Sequence, residues 1–302
     1  MDAMTPEEYC RDRASASGSS FYYSFLFLPA ARRNAITALY AYCREVDDAV
    51  DEVSDAAIAA AKLDWWQGEV ERLFAGAPQH PVTRALAPHL APFGLTRERM
   101  LQVLEGMRID LAQNRFLDFP ALARYCHLVA GVVGEMAAGI FGLSNDATLS
   151  YARKLGLALQ LVNILRDVGE DARRGRIYLP LDDMQRFGVK TADILNGRYT
   201  EGFAQLMNFE AGRARQAFAQ ALADLPQVDY RAQRPGIIMG AIYASLLDEL
   251  ARDGFRVLHQ HVSLTPIRKF SIAWRTWVFG PPARMRRLAG AAGARAGNAA
   301  EP

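Results

Sequence analysis

Gln160-Leu-Val-Asn163-Ile-Leu-Arg166-Asp167-Val-Gly-Glu170-Asp171 decides how this chain is read. Leu161, Ile164, Leu165 and Val168 recur at helical spacing, so one face of this helix belongs in a core. Asn163, Asp167 and Asp171 follow each other at i,i+4 and form a stripe of oxygen-bearing side chains. Gln160 precedes the stripe, and Arg166 and Glu170 flank it. Oxygen ligands in line, beside an apolar run over residues 155–165, suit a hard cation such as Mg²⁺. Such an ion is typically held through one or two carboxylates together with substrate phosphate. The plain alternative is a polar stripe with a purely structural role.

A second acidic cluster lies upstream in Arg44-Glu-Val-Asp47-Asp48-Ala-Val-Asp51-Glu52. Asp47 and Asp51 share a helix face and repel each other unless something lies between them. A generic DxxxD is most often a solvated acidic face. Here Leu39, Tyr40, Cys43, Val46 and Val50 make the surrounding helix apolar, and Arg44 stands one turn before the acids. Two such helices facing each other across a bundle cavity would hold Mg²⁺ ions bridged to a diphosphate, with Arg44 and Arg166 gripping the same group by forked hydrogen bonds. The chemistry that needs this arrangement is ionisation of an allylic diphosphate: the metals neutralise the leaving group, and the carbocation needs a dry, aromatic cavity. Phe21, Tyr22, Tyr23, Phe25, Phe27, Tyr40 and Tyr42 supply the aromatic material, though each is equally at home in a plain core.

Working outward, helical periodicity covers residues 30–53, 56–74, 81–91, 97–113, 120–141, 147–173, 199–225 and 235–252. Asp118 is placed to cap the helix that begins near Pro120, and Pro29 can sit in a first helical turn. Period-two alternation is missing, and no linker splits the chain. The expectation is one all-α domain over residues 1–288 with eight or more helices, followed by a disordered Ala/Gly/Arg tail at 289–302. The 302 residues are 51% hydrophobic and 23% charged, which excludes wholesale disorder. A net charge of +2 argues against a dedicated nucleic-acid binder. Cys10, Cys43 and Cys126 form no CxxC, and no GxxxxGK[ST] or GxGxxG loop occurs. No secretory h-region is present, so a cytoplasmic location is expected. Residues 270–288 mix Trp274, Trp277 and Phe279 with many arginines; this stretch either lies on the anionic inner face of the cytoplasmic membrane or packs as a helix on the bundle.

Five segments resemble the squalene/phytoene synthase family: Ser17–Phe25, Leu39–Asp51, Tyr125–Gly134, Gln160–Asp171 continuing to Pro180, and a weaker one from Tyr243 to Phe255. The resemblance covers about residues 5–280 and is greatest to the bacterial presqualene diphosphate synthases of hopanoid biosynthesis. It implies an isoprenoid synthase-type helical bundle with a central cavity. Matched residue by residue, it implies Asp47, Asp51, Asn163, Asp167 and Asp171 as ligands of Mg²⁺ (or Mn²⁺). It implies Ser20, Tyr40, Arg44, Gln160, Arg166 and Tyr243 as contacts to prenyl diphosphate, and Tyr125, Asp47 and Asp167 as catalytic. For Tyr125 the alternative is a core tyrosine with a satisfied hydroxyl. Related enzymes carry arginine in the region of His259-Gln260-His261, so these three residues receive no role.

The implied reaction is head-to-head (1'–1) condensation of two farnesyl diphosphates to presqualene diphosphate, with NADPH not expected. The alternatives are phytoene synthesis from two geranylgeranyl diphosphates and full squalene synthesis. A non-catalytic assembly subunit of the same fold is the reading from a different class; the four primary aspartates argue against it.

Overall fold

Polar caps open several of the chain's helices. The computed structural model describes residues 4–16, 21–51 and 55–282. Among these the helices are α1 (Pro6–Ala16), α2 (Phe21–Phe25), α3 (Ala30–Asp51), α4 (Ala56–Phe74), α5 (Pro81–Leu86), α6 (Leu90–Phe93), α7 (Arg97–Ala112) and α8 (Phe119–Cys126). They continue as α9 (Val132–Phe141), α10 (Ala147–Arg173), α11 (Leu181–Arg186), α12 (Thr191–Leu195), α13 (Glu201–Asp224), α14 (Arg234–Arg252) and α15 (Pro266–Phe279). No strand occurs among the described residues; an isolated bridge joins Arg115 to Ile177. Asp55 opens α4 by accepting a bond from the Ala57 amide at 2.8 Å, and Asp118 opens α8 by accepting from Ala121 at 2.8 Å. Thr200 does the same for α13. Each cap satisfies an amide that the first helical turn leaves without a partner.

The periodicity over 56–74 and 147–173 coincides with α4 and α10. The helix expected over 120–141 is continuous from α8 to α9 but widens to a π-turn at His127–Gly131. The one expected over 81–91 is broken into α5, a 3₁₀ turn at Ala87–His89 and α6, because Pro88 lacks the amide that a continuous helix needs. α1 escapes the periodicity because polar bonds anchor it: Tyr9 donates to Glu45 at 2.7 Å, and Arg13 pairs with Glu45 at 2.7 Å and Asp48 at 2.6 Å.

Two apolar clusters form the core. One gathers α10, α13 and α14; the other gathers α3, α4, α7 and α9, and Val129 of the π-turn packs against both. α9 and α10 meet backbone to backbone. A Cβ on Gly134 would lie 2.6 Å from the Ala152 carbonyl, and one on Gly156 would lie 2.5 Å from that of Ala130.

The structure describes residues 270–288 as far as Pro282, within and just after α15. Ala273 and Thr276 are buried, and Trp277 stacks on Phe27 at 5.0 Å, so this helix packs on the bundle. Ile267, Phe270, Trp274 and Val278 nevertheless form an exposed stripe at helical spacing, with Phe279 (70% exposed) at its end. Arg284, Arg286 and Arg287 and the tail at 289–302 lie outside the described residues. No helix among the described residues is long and apolar enough to cross a membrane.

Gly156→Ala forces a methyl group into the Ala130 backbone and lowers unfolding free energy by about 1–3 kcal/mol. Gly212→Ala, on α13 with nothing within 4 Å of the added methyl, raises it by about 0.5–1 kcal/mol. Urea denaturation of both variants checks the contrast.

Candidate active site

A cavity of about 240 Å³ lies between the two apolar clusters. Ile36, Leu39, Tyr40 and Cys43 of α3 form one wall, and Val103 and Met107 of α7 extend it. Val129 and Ala130 of the π-turn, with Val133 and Ala137 of α9, form another. α10 contributes Tyr151, Leu155, Leu159, Gln160 and Asn163, a stripe at helical spacing. Arg44 and Asp47 line the same cavity, so its polar mouth lies where the two acidic motifs begin.

At the mouth the acids are held by arginines. Arg44 bonds Asp47 at 2.9 Å and Asp48 at 2.8 Å. Arg166 grips both oxygens of Asp167 at 2.7 and 2.5 Å. Asp51 receives Arg174 at 2.8 Å and Arg176 at 2.6 Å. Arg176 also reaches Asp110 of α7 at 3.3 Å. These two arginines arrive because the chain after α10 turns back: the Ile177 amide donates to the Asn114 carbonyl at 3.1 Å. The same return brings Tyr178 against Asp110, to which its hydroxyl donates. Tyr125 lies beside Asp110 and stacks on Tyr178 with ring centroids 5.5 Å apart. Tyr125 is buried and lines the cavity next to this carboxylate of the acidic cluster.

Asn163 donates to Gln160 at 3.3 Å and stands beside Tyr243, while its Oδ1 is buried with no hydrogen-bond partner. Tyr243 is fully enclosed beside Tyr40, Arg166 and Asp167. Ser20 lies outside the described residues. Of His259-Gln260-His261, only His261 reaches the mouth, 3.0 Å from Glu170 and 3.8 Å from Asp167. Asp167, Glu170 and His261 bring ligand atoms within 4.8 Å of one another. His259 instead packs on Tyr199, and Gln260 bonds Asp253.

The carboxylates are crowded enough to hold protons. Burial, then Asp51, pushes Asp47 up to about 7, against the pull of Arg44. Its side chain lines the cavity and is 38% exposed. Burial, then Asp167, Asp110 and Asp51, pushes Asp171 up to about 8. Asp51 and Asp110 thus act on the acids of both α3 and α10, so the two motifs share one electrostatic site. A hard divalent cation fits it: the motif donors are all oxygen, the buried Asn163 Oδ1 lacks a partner, and added positive charge relieves the crowding.

The squalene/phytoene synthase family model matches residues 14–268. The chain belongs to the squalene/phytoene synthase family. It is accordingly a prenyltransferase with the isoprenoid synthase-type helical bundle. It is 36% identical over 292 residues to a phytoene synthase of Arthrospira platensis, covering 92% of both chains. Its fold superposes on a dehydrosqualene synthase with a TM-score of 0.81 at 27% identity, covering 91% of this chain and 96% of the other. A squalene synthase from Alicyclobacillus acidocaldarius gives a TM-score of 0.74 at 31% identity, covering 83% and 94%.

In this candidate site, sequence reasoning missed Asp110, Arg174, Arg176 and Tyr178 and left His261 without a role. Asp110 left one signal: it continues the spacing of Val103 and Met107, an acid on the apolar face of α7. The others depend on chain returns that no helical period records.

Asp47 and Asp171 keep protons in the fold that the unfolded chain, with an aspartate pKa near 3.8, has released. Their contribution to stability is full below the unfolded value and is lost as pH rises through about 7 and about 8. In EDTA, Asp47→Asn therefore gains stability relative to wild type as pH rises from the unfolded value of 3.8 to about 7. Thermal melts across that range check it; a constant difference would contradict the crowding.

Proposed function

We propose that this chain condenses two farnesyl diphosphates head to head to presqualene diphosphate, releasing diphosphate. The observation that carries the reading is one cavity that begins among Arg44, Asp47, Gln160 and Asn163 and continues between apolar and aromatic walls. A charged leaving group belongs at the first end and prenyl chains in the rest. Farnesyl as substrate is supported by the sequence segments quoted above and by the likeness to the dehydrosqualene and squalene synthase structures.

In this reading Arg44 and Arg166 exchange their carboxylate partners for diphosphate oxygens, which match a planar fork equally well. Tyr40, Gln160, Tyr243 and Ser20 contact the prenyl diphosphates. Mg²⁺ or Mn²⁺, held by Asp47, Asp51, Asn163, Asp167 and Asp171, supplies charge neutralisation at the leaving diphosphate. The C1–O bond of one substrate breaks and its electron pair leaves with diphosphate. The double bond of the second substrate attacks the allylic cation, and loss of a proton closes the cyclopropane. Leu39, Val133, Leu155 and Leu159 keep water from the cation, and Tyr125, stacked on Tyr178, presents an aromatic surface to it. No hydride is consumed, so NADPH is not required for this reaction.

Phytoene synthesis from two geranylgeranyl diphosphates is the second reading, favoured by the 36% identity to the Arthrospira phytoene synthase. Incubation with each diphosphate and Mg²⁺, with and without NADPH, separates the two by mass spectrometry. The expected product is presqualene diphosphate from farnesyl diphosphate, with or without NADPH; faster turnover of geranylgeranyl diphosphate to phytoene would favour the second reading. Asp167→Asn and Arg166→Lys each lower kcat by about a hundredfold or more with helical content retained. Full activity in excess EDTA would overturn the metal assignment.

We propose also that the exposed stripe of α15 rests on an anionic bilayer. Ile267, Phe270, Trp274 and Val278 would enter the interface, with the exposed Arg275 toward the headgroups. Ile267→Glu with Trp274→Glu abolishes flotation with phosphatidylglycerol vesicles while leaving thermal stability unchanged; undiminished flotation would refute this face.

A further inference from the structure

α10 carries both ends of the cavity. Asn163 and the aspartates below it stand at the mouth, and Leu159, Leu155 and Tyr151 follow at four-residue steps along the same wall. At 1.5 Å rise per residue, Asn163 and Tyr151 lie about 18 Å apart along the helix axis. A van der Waals contact of about 3.5 Å against the Tyr151 ring leaves roughly 14 Å for a chain. The extended twelve-carbon backbone of a farnesyl group spans about 14 Å, and one further isoprene unit adds about 5 Å, close to one helical turn.

Tyr151 is built as a stop. It is 1% exposed, and its hydroxyl is buried with no hydrogen-bond partner. No polar bond holds it; packing does. A methyl group on Gly236 of α14 would stand 2.8 Å from that hydroxyl, so the tyrosine fills the space up to the opposite helix. Beside it, Gln233 donates to the carbonyls of Ala138 at 3.1 Å and Gly142 at 2.8 Å, tying the start of α14 to the end of α9. Gln233 is thus committed to backbone, and the variable element of this closure is the bulk of Tyr151.

We propose that Tyr151 sets the substrate length, admitting a fifteen-carbon chain and excluding a twenty-carbon one. This inference rests on the reading that prenyl chains occupy the cavity with their diphosphate at the Asn163 end. The orphaned hydroxyl has no part in it: ring volume is what a longer chain meets.

Kinetics of wild type, Tyr151→Phe, Tyr151→Val and Leu155→Phe with geranyl, farnesyl and geranylgeranyl diphosphates test it, with thermal melts alongside. Tyr151→Phe keeps the geranylgeranyl-to-farnesyl ratio of kcat/KM within twofold and melts no lower than wild type, since it removes an unsatisfied buried hydroxyl. Tyr151→Val raises that ratio at least tenfold. Leu155→Phe moves the stop one turn toward the mouth and lowers farnesyl turnover at least tenfold relative to geranyl. A folded Tyr151→Val with an unchanged ratio, or a wild type that uses both long substrates equally, would overturn the proposal; if Tyr151→Val fails to fold, Leu155→Phe decides it. A wild type inert toward all the diphosphates would instead refute the proposed function.

Discussion

Carboxylates from α3, α7 and α10 converge on one small volume at the cavity mouth, and everything around them answers their repulsion. Arg44, Arg166, Arg174 and Arg176 each hold one or more of them. Asp47 and Asp171 hold protons at pH values where an ordinary aspartate has none. The chain accepts this cost because α3 and α10 are anchored elsewhere, in the two apolar clusters, and cannot move apart to relieve it. Crowding of this kind is what a site needs if it is to bind cations together with a polyanion: each component of the ligand relieves the strain that the other would add.

The arginines divide into two kinds by their position. Arg44 and Arg166 lie within the motif helices and are interleaved with the acids by sequence spacing. Arg174 and Arg176 come from the segment that returns to Asn114 and cover Asp51 from outside the helix. A ligand that displaces the first pair leaves the second in place, so the site can exchange partners at its centre while its edge stays fixed.

The fold was legible wherever a helix buries a regular apolar stripe, as in α3, α4, α10 and α13, because that stripe is what holds such a helix in place. α1 was not, since Glu45 and Asp48 hold it through Tyr9 and Arg13, and ion pairs across 35 residues leave no period. The same division runs through the site. Asp47, Asp51, Asn163, Asp167 and Asp171 announce themselves because the helical repeat that aligns them is local. Tyr178 and His261 reach the same mouth from loops, and their proximity to Asp110 and Glu170 exists only after the chain has closed on itself. The π-turn at His127–Gly131 is intermediate: the sequence shows the helix but not the extra residue that widens it.

α10 presents its cavity wall and its acidic stripe on one face of one uninterrupted helix from Ala147 to Arg173. Its two functions are therefore locked in phase. Inserting or deleting a single residue between Tyr151 and Asp167 would rotate one relative to the other by about 100° and turn either the wall or the acids out of the cavity. Glycines at 156 and 169, each pressed against a neighbouring backbone, would lose their places in the same stroke. Change along this helix is therefore confined to substitution. If α10 sets the chain length as proposed, length changes in steps of one helical turn, close to one isoprene unit.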